Sequence, residues 1–266
     1  MSLIPYICTT CGVQYEPAAA PPAHCIICED DRQYVNPRGQ QWTTLPDLRL
    51  DHLNRVEAVA EDLYAIHTEP GFGINQRAHL LRTPGGNILW DCITLLDDET
   101  IEAIRELGGL RAIALSHPHY FSTIVEWSRA FGDVPVYVNA LDGQWLTRAS
   151  DSIKLWRGER LELWETVTLV RCGGHFPGAC VLHSPQHGGL LLVGDTIQVS
   201  PNLKTVSFMY SYPNLMPLAK NQILQIRDSL RGLSYHAMYG AFGKYITINA
   251  MDAMEASVER YLEIYK

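Results

Sequence analysis

Leu110–Leu115 is an apolar run that ends in Ser116-His117-Pro118-His119-Tyr120-Phe121-Ser122. Side chains two residues apart leave the same face of an extended segment, so His117 and His119 can grip one ion. Two histidines at that spacing are common, and the pair takes its meaning from two stretches further along. Gly173-Gly174-His175-Phe176-Pro177-Gly178 is a glycine-rich turn before a strand, and Leu191-Leu192-Val193-Gly194-Asp195-Thr196 is an apolar strand that delivers a carboxylate into a loop. Three neutral imidazoles and a carboxylate, each at a strand exit, predict a metal pocket above a sheet edge.

Outward from these stretches, short apolar runs alternate with helical ones, which is how a layered α/β domain reads. Strands are expected over Asp62–Ile66, Ala78–Arg82, Asn87–Cys92, Val134–Val138, Leu161–Val170, Ala179–His183 and Leu190–Val193. Asp97 and Asp98 offer caps for a helix through Leu107, and Ser122 for one over about Thr123–Phe131. Two amphipathic helices, roughly Pro217–Arg231 and Ala250–Tyr265, close the chain, and Val199–Leu215 reads as a long aromatic loop that can wall a pocket or serve a dimer interface.

Residues 1–50 have a different texture and are read as a separate small module, with 51–266 as the main domain. Cys8-x2-Cys11-Gly12 and Cys25-x2-Cys28 supply four thiolates from two tight turns, the set that a closed tetrahedral site needs. In a reducing compartment such a cluster binds metal rather than forming disulfides. Zinc is the default ion, iron in a rubredoxin-like pair of knuckles the alternative. His24 is expected at the surface, and Cys92, Cys172 and Cys180 as small core hydrophobes.

The 266 residues are 47% hydrophobic and 19% charged, enough for one large core and a small appendage. A formal charge of −8, with 21 scattered Lys and Arg, argues against nucleic acid as a partner. With neither a signal-peptide pattern nor an apolar run long enough to cross a bilayer, a cytoplasmic protein without membrane contact is expected.

The order of strand, HxH and helix, then GGHxPG, then LLVGDT resembles the metallo-β-lactamase superfamily from about residue 56 to 266. The resemblance implies an αββα sandwich with metal held at the rim between two sheets, by His117, His119, His175 and Asp195, and gives Asp91 a supporting role. Where the superfamily motif reads HxHxDH, this chain has Phe121 and Ser122 in place of the Asp and final His, and Phe242 falls where the family's last His is expected. In a two-metal member those three ligands belong to one ion, while the HxH pair and the GGH histidine hold the other and the GDT aspartate bridges. Losing every private ligand of one ion and none of the other's implies a single-metal site.

Three imidazoles around zinc leave a position for water, whose pKa falls to about 7 there, so metal-dependent hydrolysis of a small ester, lactone or thioester is chemically available. Asp195 is then a ligand or the acceptor of the water's proton, and Tyr120 a donor to the leaving group. The same atoms permit a second class: His117, His175 and Asp195 around Fe(II) would resemble a mononuclear persulfide dioxygenase. A third reading is a metal-binding scaffold without turnover.

Overall fold

In the computed structural model, which describes residues 3–266, β1 (Ile7–Cys8) pairs with β2 (Trp42–Thr43) and is followed by the short helix α1 (Leu45–Leu48). A seven-stranded sheet then runs in chain order: β3 (Leu53–Ala60), β4 (Leu63–Glu69), β5 (Ala78–Leu81), β6 (Ile88–Trp90), β7 (Ala112–Ala114), β8 (Val136–Asn139) and β9 (Ile153–Trp156). Its first four strands are antiparallel and β6 to β9 are parallel, with α2 (Asp98–Glu106) and α3 (Ile124–Ala130) as crossovers. The second sheet has six strands: β10 (Arg160–Trp164), β11 (Val167–Arg171), β12 (Cys180–Ser184), β13 (Leu190–Gly194), then β18 (Ala237–Gly240) and β19 (Tyr245–Ile246). Between β13 and β18 the chain makes a strap of short strands, β14 (Gln198–Val199), β15 (Val206–Ser207), β16 (Met209–Ser211) and β17 (Met216–Pro217), and the helix α4 (Lys220–Ser229). The helix α5 (Ala250–Ile264) ends the fold.

Period-two alternation sorts side chains into three buried layers. Ile88, Trp90, Ala112 and Ala114 meet Leu182, Leu190 and Leu192 between the sheets. Leu89 and Ile113 face outward to Ile104 of α2 and Val125 and Trp127 of α3, whereas Leu191 and Val193 face outward to Ile223 of α4 and Val258 of α5. The result is the expected αββα sandwich. Cys8, Cys11, Val13, Cys25, Ile27 and Cys28 lie in the same outer layer as Leu89 and Ile113, so the cysteine module shares the main domain's core. Among the described residues no helix is long and apolar enough to cross a membrane.

Several expectations need correction. Ser122 does not cap α3: it has φ 42°, Thr123 is the capping residue without a side-chain bond, and the Ser122 hydroxyl donates to the Cys92 carbonyl at 3.2 Å. Leu161–Val170, which reads as one or two strands, is two, β10 and β11, while the edge strands β3 and β9 are not among the expected strands because they lack the apolar runs that mark buried ones. The long loop over Val199–Leu215 carries β15 and β16.

His79 on β5, which has no assigned partner in the sequence, lies buried in contact with the Tyr245 hydroxyl at 3.3 Å. Burial, with the Arg77 charge behind it, pulls its pKa down to about 3. A histidine depressed in the folded state leaves the unfolded chain binding more protons, so this residue removes stability as pH falls from 6.5 towards about 3. The slope is up to about 1.4 kcal/mol per pH unit. Denaturant titrations at pH 7 and pH 4.5 are expected to show His79→Gln losing less stability on acidification than the parent chain.

Candidate metal centres

β7 runs out at Ala114, and the Ser116 amide donates to Asp91 Oδ1 at 2.7 Å, which fixes the exit of that strand beside the end of β6. The next residues turn into a 3-10 helix, Pro118–Tyr120, instead of staying extended. His117 and His119 nevertheless converge, with ring centroids 4.9 Å apart. The glycine turn after β11 adds His175, whose ring lies 4.9 Å from His117 and 5.1 Å from His119. β13 adds Asp195, whose Oδ2 is 3.6 Å from His117 Nε2. The four side chains offer ligand atoms that all lie within 4.8 Å of one another. Gly194 is required at this exit: its φ is 51°, and a Cβ there would collide with Ser116 Oγ and come within 3.2 Å of Asp91 Oδ2.

Hydrogen bonds around the cluster turn bare nitrogens inward. His175 Nδ1 faces the Met209 carbonyl at 3.1 Å, and a carbonyl can only accept, so Nδ1 carries the proton and Nε2 is free. That Nε2 is 3.3 Å from His119 Nδ1. Two imidazole nitrogens bound tetrahedrally to one zinc at ~2.05 Å would be about 3.3–3.4 Å apart. His117 Nδ1 meets Ser116 Oγ at 2.8 Å, leaving its Nε2 without a partner, as is Asp195 Oδ1. Buried acceptors left unpaired cost about 1–3 kcal/mol each, and a divalent cation among them would satisfy both. The donor set fits a metal ion.

Electrostatics agree. His117, His119 and His175 are 0–3% exposed, and burial holds all three below the ordinary histidine pKa, His175 at about 4, so at neutral pH they are neutral, the form in which an imidazole can bind a metal. Burial raises Asp195 to about 7, and the Tyr120 hydroxyl, facing it without reaching hydrogen-bonding geometry, opposes that rise. Asp91 is pushed up to about 8 by burial despite its bonds to Ser116.

The positions that depart from the HxHxDH pattern are committed elsewhere. Phe121 is buried in the outer layer with the cysteines, and Phe242 packs against that layer. Ser122 Oγ accepts from Gln76 Nε2 at 3.1 Å as well as donating to Cys92, and its carbonyl accepts from the Gln14 amide of the module at 3.0 Å. Among the described residues the remaining group of this kind, Glu61, Asp62 and His187, lies towards the surface and is tied up in ion pairs, His187 reaching Glu61 at 3.3 Å and Asp62 at 3.1 Å.

The four cysteines form a second centre, with Cys8 Sγ 3.6 Å from Cys28 Sγ and Cys11 Sγ 3.6 Å from Cys25 Sγ. A disulfide would need about 2.0 Å, whereas the edge of a tetrahedral zinc–thiolate site is about 3.8 Å. The turns close as knuckles: the Gly12 amide donates to the Cys8 carbonyl at 2.8 Å and the Glu29 amide to the Cys25 carbonyl at 3.0 Å. All four thiols are buried and face one another, and one cation would take them as thiolates, so these residues also fit a metal. His24 is at the surface, 2.6 Å from Glu29, and Cys92, Cys172 and Cys180 are buried singly.

Four neighbours make contacts around the histidine cluster that no sequence signal gives, although one of them, Tyr212, lies in the aromatic loop expected to wall a pocket. Tyr212 donates to the Asp195 carbonyl at 2.9 Å and lies 5.5 Å from the His175 ring. Asp142, raised to about 7 by burial, accepts from the Gly178 amide at 2.7 Å and steadies the glycine turn. Trp145 packs edge-on against Phe176 at 4.9 Å. Arg32, from the cysteine module, donates through Nε to the His175 carbonyl at 2.6 Å. All four reach the site from segments distant in the chain, so local pattern could not find them.

No protein-family model matches the chain. It is 48% identical over 263 residues to the uncharacterized protein YmaE of Bacillus subtilis (strain 168), a match covering 97% of this chain and 96% of that one. Among solved structures it is similar to TMB-1, with a TM-score of 0.61 and 16% identity over 78% of this chain and 98% of that one. The metallo-β-lactamase DIM-1 gives a TM-score of 0.58 at 15% identity, covering 78% and 98%. The metallo-β-lactamase FIM-1 from Pseudomonas aeruginosa, in its mono-zinc form, gives 0.57 at 16% identity, covering 78% and 96%.

Proposed function

From the premise that this chain belongs to the family of Bacillus subtilis YmaE and has the metallo-β-lactamase fold, we propose that it is a single-metal hydrolase of a small ester, lactone or thioester. One observation supports the reading: three imidazoles and a carboxylate bring ligand atoms within 4.8 Å of one another, His117 Nε2 and Asp195 Oδ1 without partners, and among the described residues Phe121, Ser122 and Phe242 supply no ligands for a second ion. FIM-1 in its mono-zinc form gives a precedent for one ion in this fold.

His117, His119 and His175 are the ligands, with Asp195 completing the set. Zinc held there supplies Lewis acidity for a substrate carbonyl and a lowered pKa for water. Burial alone raises Asp195, and a cation beside it would restore the carboxylate form that a ligand needs. Tyr120, buried with its hydroxyl unpaired and turned to Asp195, is the donor to the leaving group. Phe176, Tyr120 and Tyr212 pack around the imidazoles and exclude water, so each charge acts through a lower dielectric than in water. The cysteine module holds a second, structural zinc. An iron site of two histidines and a carboxylate would leave His119 out, and the 3.3 Å approach of its Nδ1 to His175 Nε2 favours the three-imidazole set.

Zinc-replete protein assayed against p-nitrophenyl esters, lactones and acyl thioesters is expected to turn over at least one of them, with activity lost to dipicolinate and restored by zinc. Equal rates with and without metal would refute the hydrolase reading, and oxygen uptake with a persulfide by iron-loaded protein would replace it.

A further inference from the structure

The histidine site is sealed: His117, His119, His175 and Asp195 are between 0% and 3% exposed. A substrate can reach them only if part of the wall moves. Most of that wall is sandwich core. One part of a different kind is the turn Asp30–Gln33, which begins two residues after Cys28 and reaches the site through the contacts of Arg32 with the His175 carbonyl and the Phe176 ring.

That turn is fastened almost wholly by polar bonds. Arg32 donates through Nε to the His175 carbonyl at 2.6 Å, and its Nη1 is held by the Asp30 carboxylate at 2.7 and 2.9 Å. The guanidinium lies over Phe176, 4.5 Å from the ring centre, and over Tyr210 at 4.6 Å, with Trp145 at 5.8 Å. On the strap, Tyr210 donates to Asp31 at 2.6 Å, Ser211 to the Arg32 carbonyl at 3.0 Å, and Asn214 to the Asp31 and Gln33 carbonyls at 3.1 and 3.2 Å. The turn therefore joins three things: the cysteine knuckle, the loop carrying His175, and the strap that covers Asp195 through Tyr212.

We propose that the Asp30–Gln33 turn is the lid of the histidine site, latched by Arg32, and that metal bound by the four cysteines holds it shut. Cys28 is only four residues from Arg32, so a knuckle set by four metal bonds fixes where the guanidinium starts. A knuckle without them leaves Arg32 to find the His175 carbonyl against the entropy of a free loop. Opening requires the latch alone to part, since Cys8, Cys11, Cys25 and Cys28 stay in the core. Arg32 is thus a positioning residue, acting on the site through the His175 carbonyl and Phe176. The idea rests on the histidine cluster being the working site, yet it is testable without turnover.

Amide hydrogen exchange followed by mass spectrometry on full-length, zinc-replete protein provides the test. In Arg32→Ala, exchange in residues 173–178 and 208–214 is expected to rise at least tenfold while β5 to β7 and the knuckles keep their protection. Arg32→Lys, which keeps the charge and loses the fork of donors, falls between. Cys28→Ser opens the same two segments, and adding Arg32→Ala to it opens them no further, because knuckle and latch act in series. Should Cys28→Ser fail to fold, Cys28→His takes its place with the same outcomes. Unchanged exchange in those segments or an equal rise across β5 to β7 in Arg32→Ala, or independent addition of the two changes, would overturn the lid. None of these outcomes bears on whether the protein hydrolyses an ester.

Discussion

His175→Ala is expected to cost the chain one of two bound metal ions and to lower hydrolysis about a thousandfold. The residue closes the ligand set from the second sheet, with its Nε2 3.3 Å from His119 Nδ1 and its Nδ1 oriented by the Met209 carbonyl. Alanine removes the one imidazole that strand β7 does not supply, so the remaining pair and Asp195 hold zinc through fewer bonds and at a lower affinity. Some stability goes too, because the buried ring leaves a cavity beside Phe176 and the Met209 carbonyl loses its donor, but the fold should stay intact. Zinc content, kcat/KM and the thermal midpoint measured together separate this from misfolding. A variant that keeps its second ion, or its activity, would remove His175 from the site.

Cys11→Ser is expected to do the reverse: to lose the other ion and lower the unfolding midpoint by about 10 °C or more. Four-thiolate zinc sites contribute on the order of 10 kcal/mol to folding, and Cys11 is fully buried in the cluster. The cluster also lies in the same apolar layer as Leu89, Ile113 and Trp127, so its loosening reaches the main sheet. The midpoint should fall in the metal-replete protein and far less between parent and variant once both are stripped with chelator. A midpoint unchanged by Cys11→Ser would mean that burial alone holds the module.

Much of this was legible in the residues. The alternating strands, the caps at Asp97 and the exits carrying His117, His175 and Asp195 are local patterns, each set by period and turn chemistry within a few residues. The four cysteines were legible for the same reason. β3 and β9 were not, because they are edge strands whose half-exposed faces lack a continuous apolar run. Ser122 misled because its hydroxyl was free to cap α3 in sequence, whereas in the fold Cys92 and Gln76 claim it. Arg32, Asp142 and Tyr212 were invisible on other grounds: each meets the site across more than a strand's length of intervening chain, and nothing in an Asp-Asp-Arg turn or a tyrosine-rich loop announces its partner. The lid is a property of tertiary contact alone.

Elemental analysis of metal per chain bears most directly on the account. Protein purified with zinc should carry about two ions, one lost in His175→Ala and the other in Cys11→Ser. Three ions per chain, or a second ion that survives in His175→Ala, would contradict it.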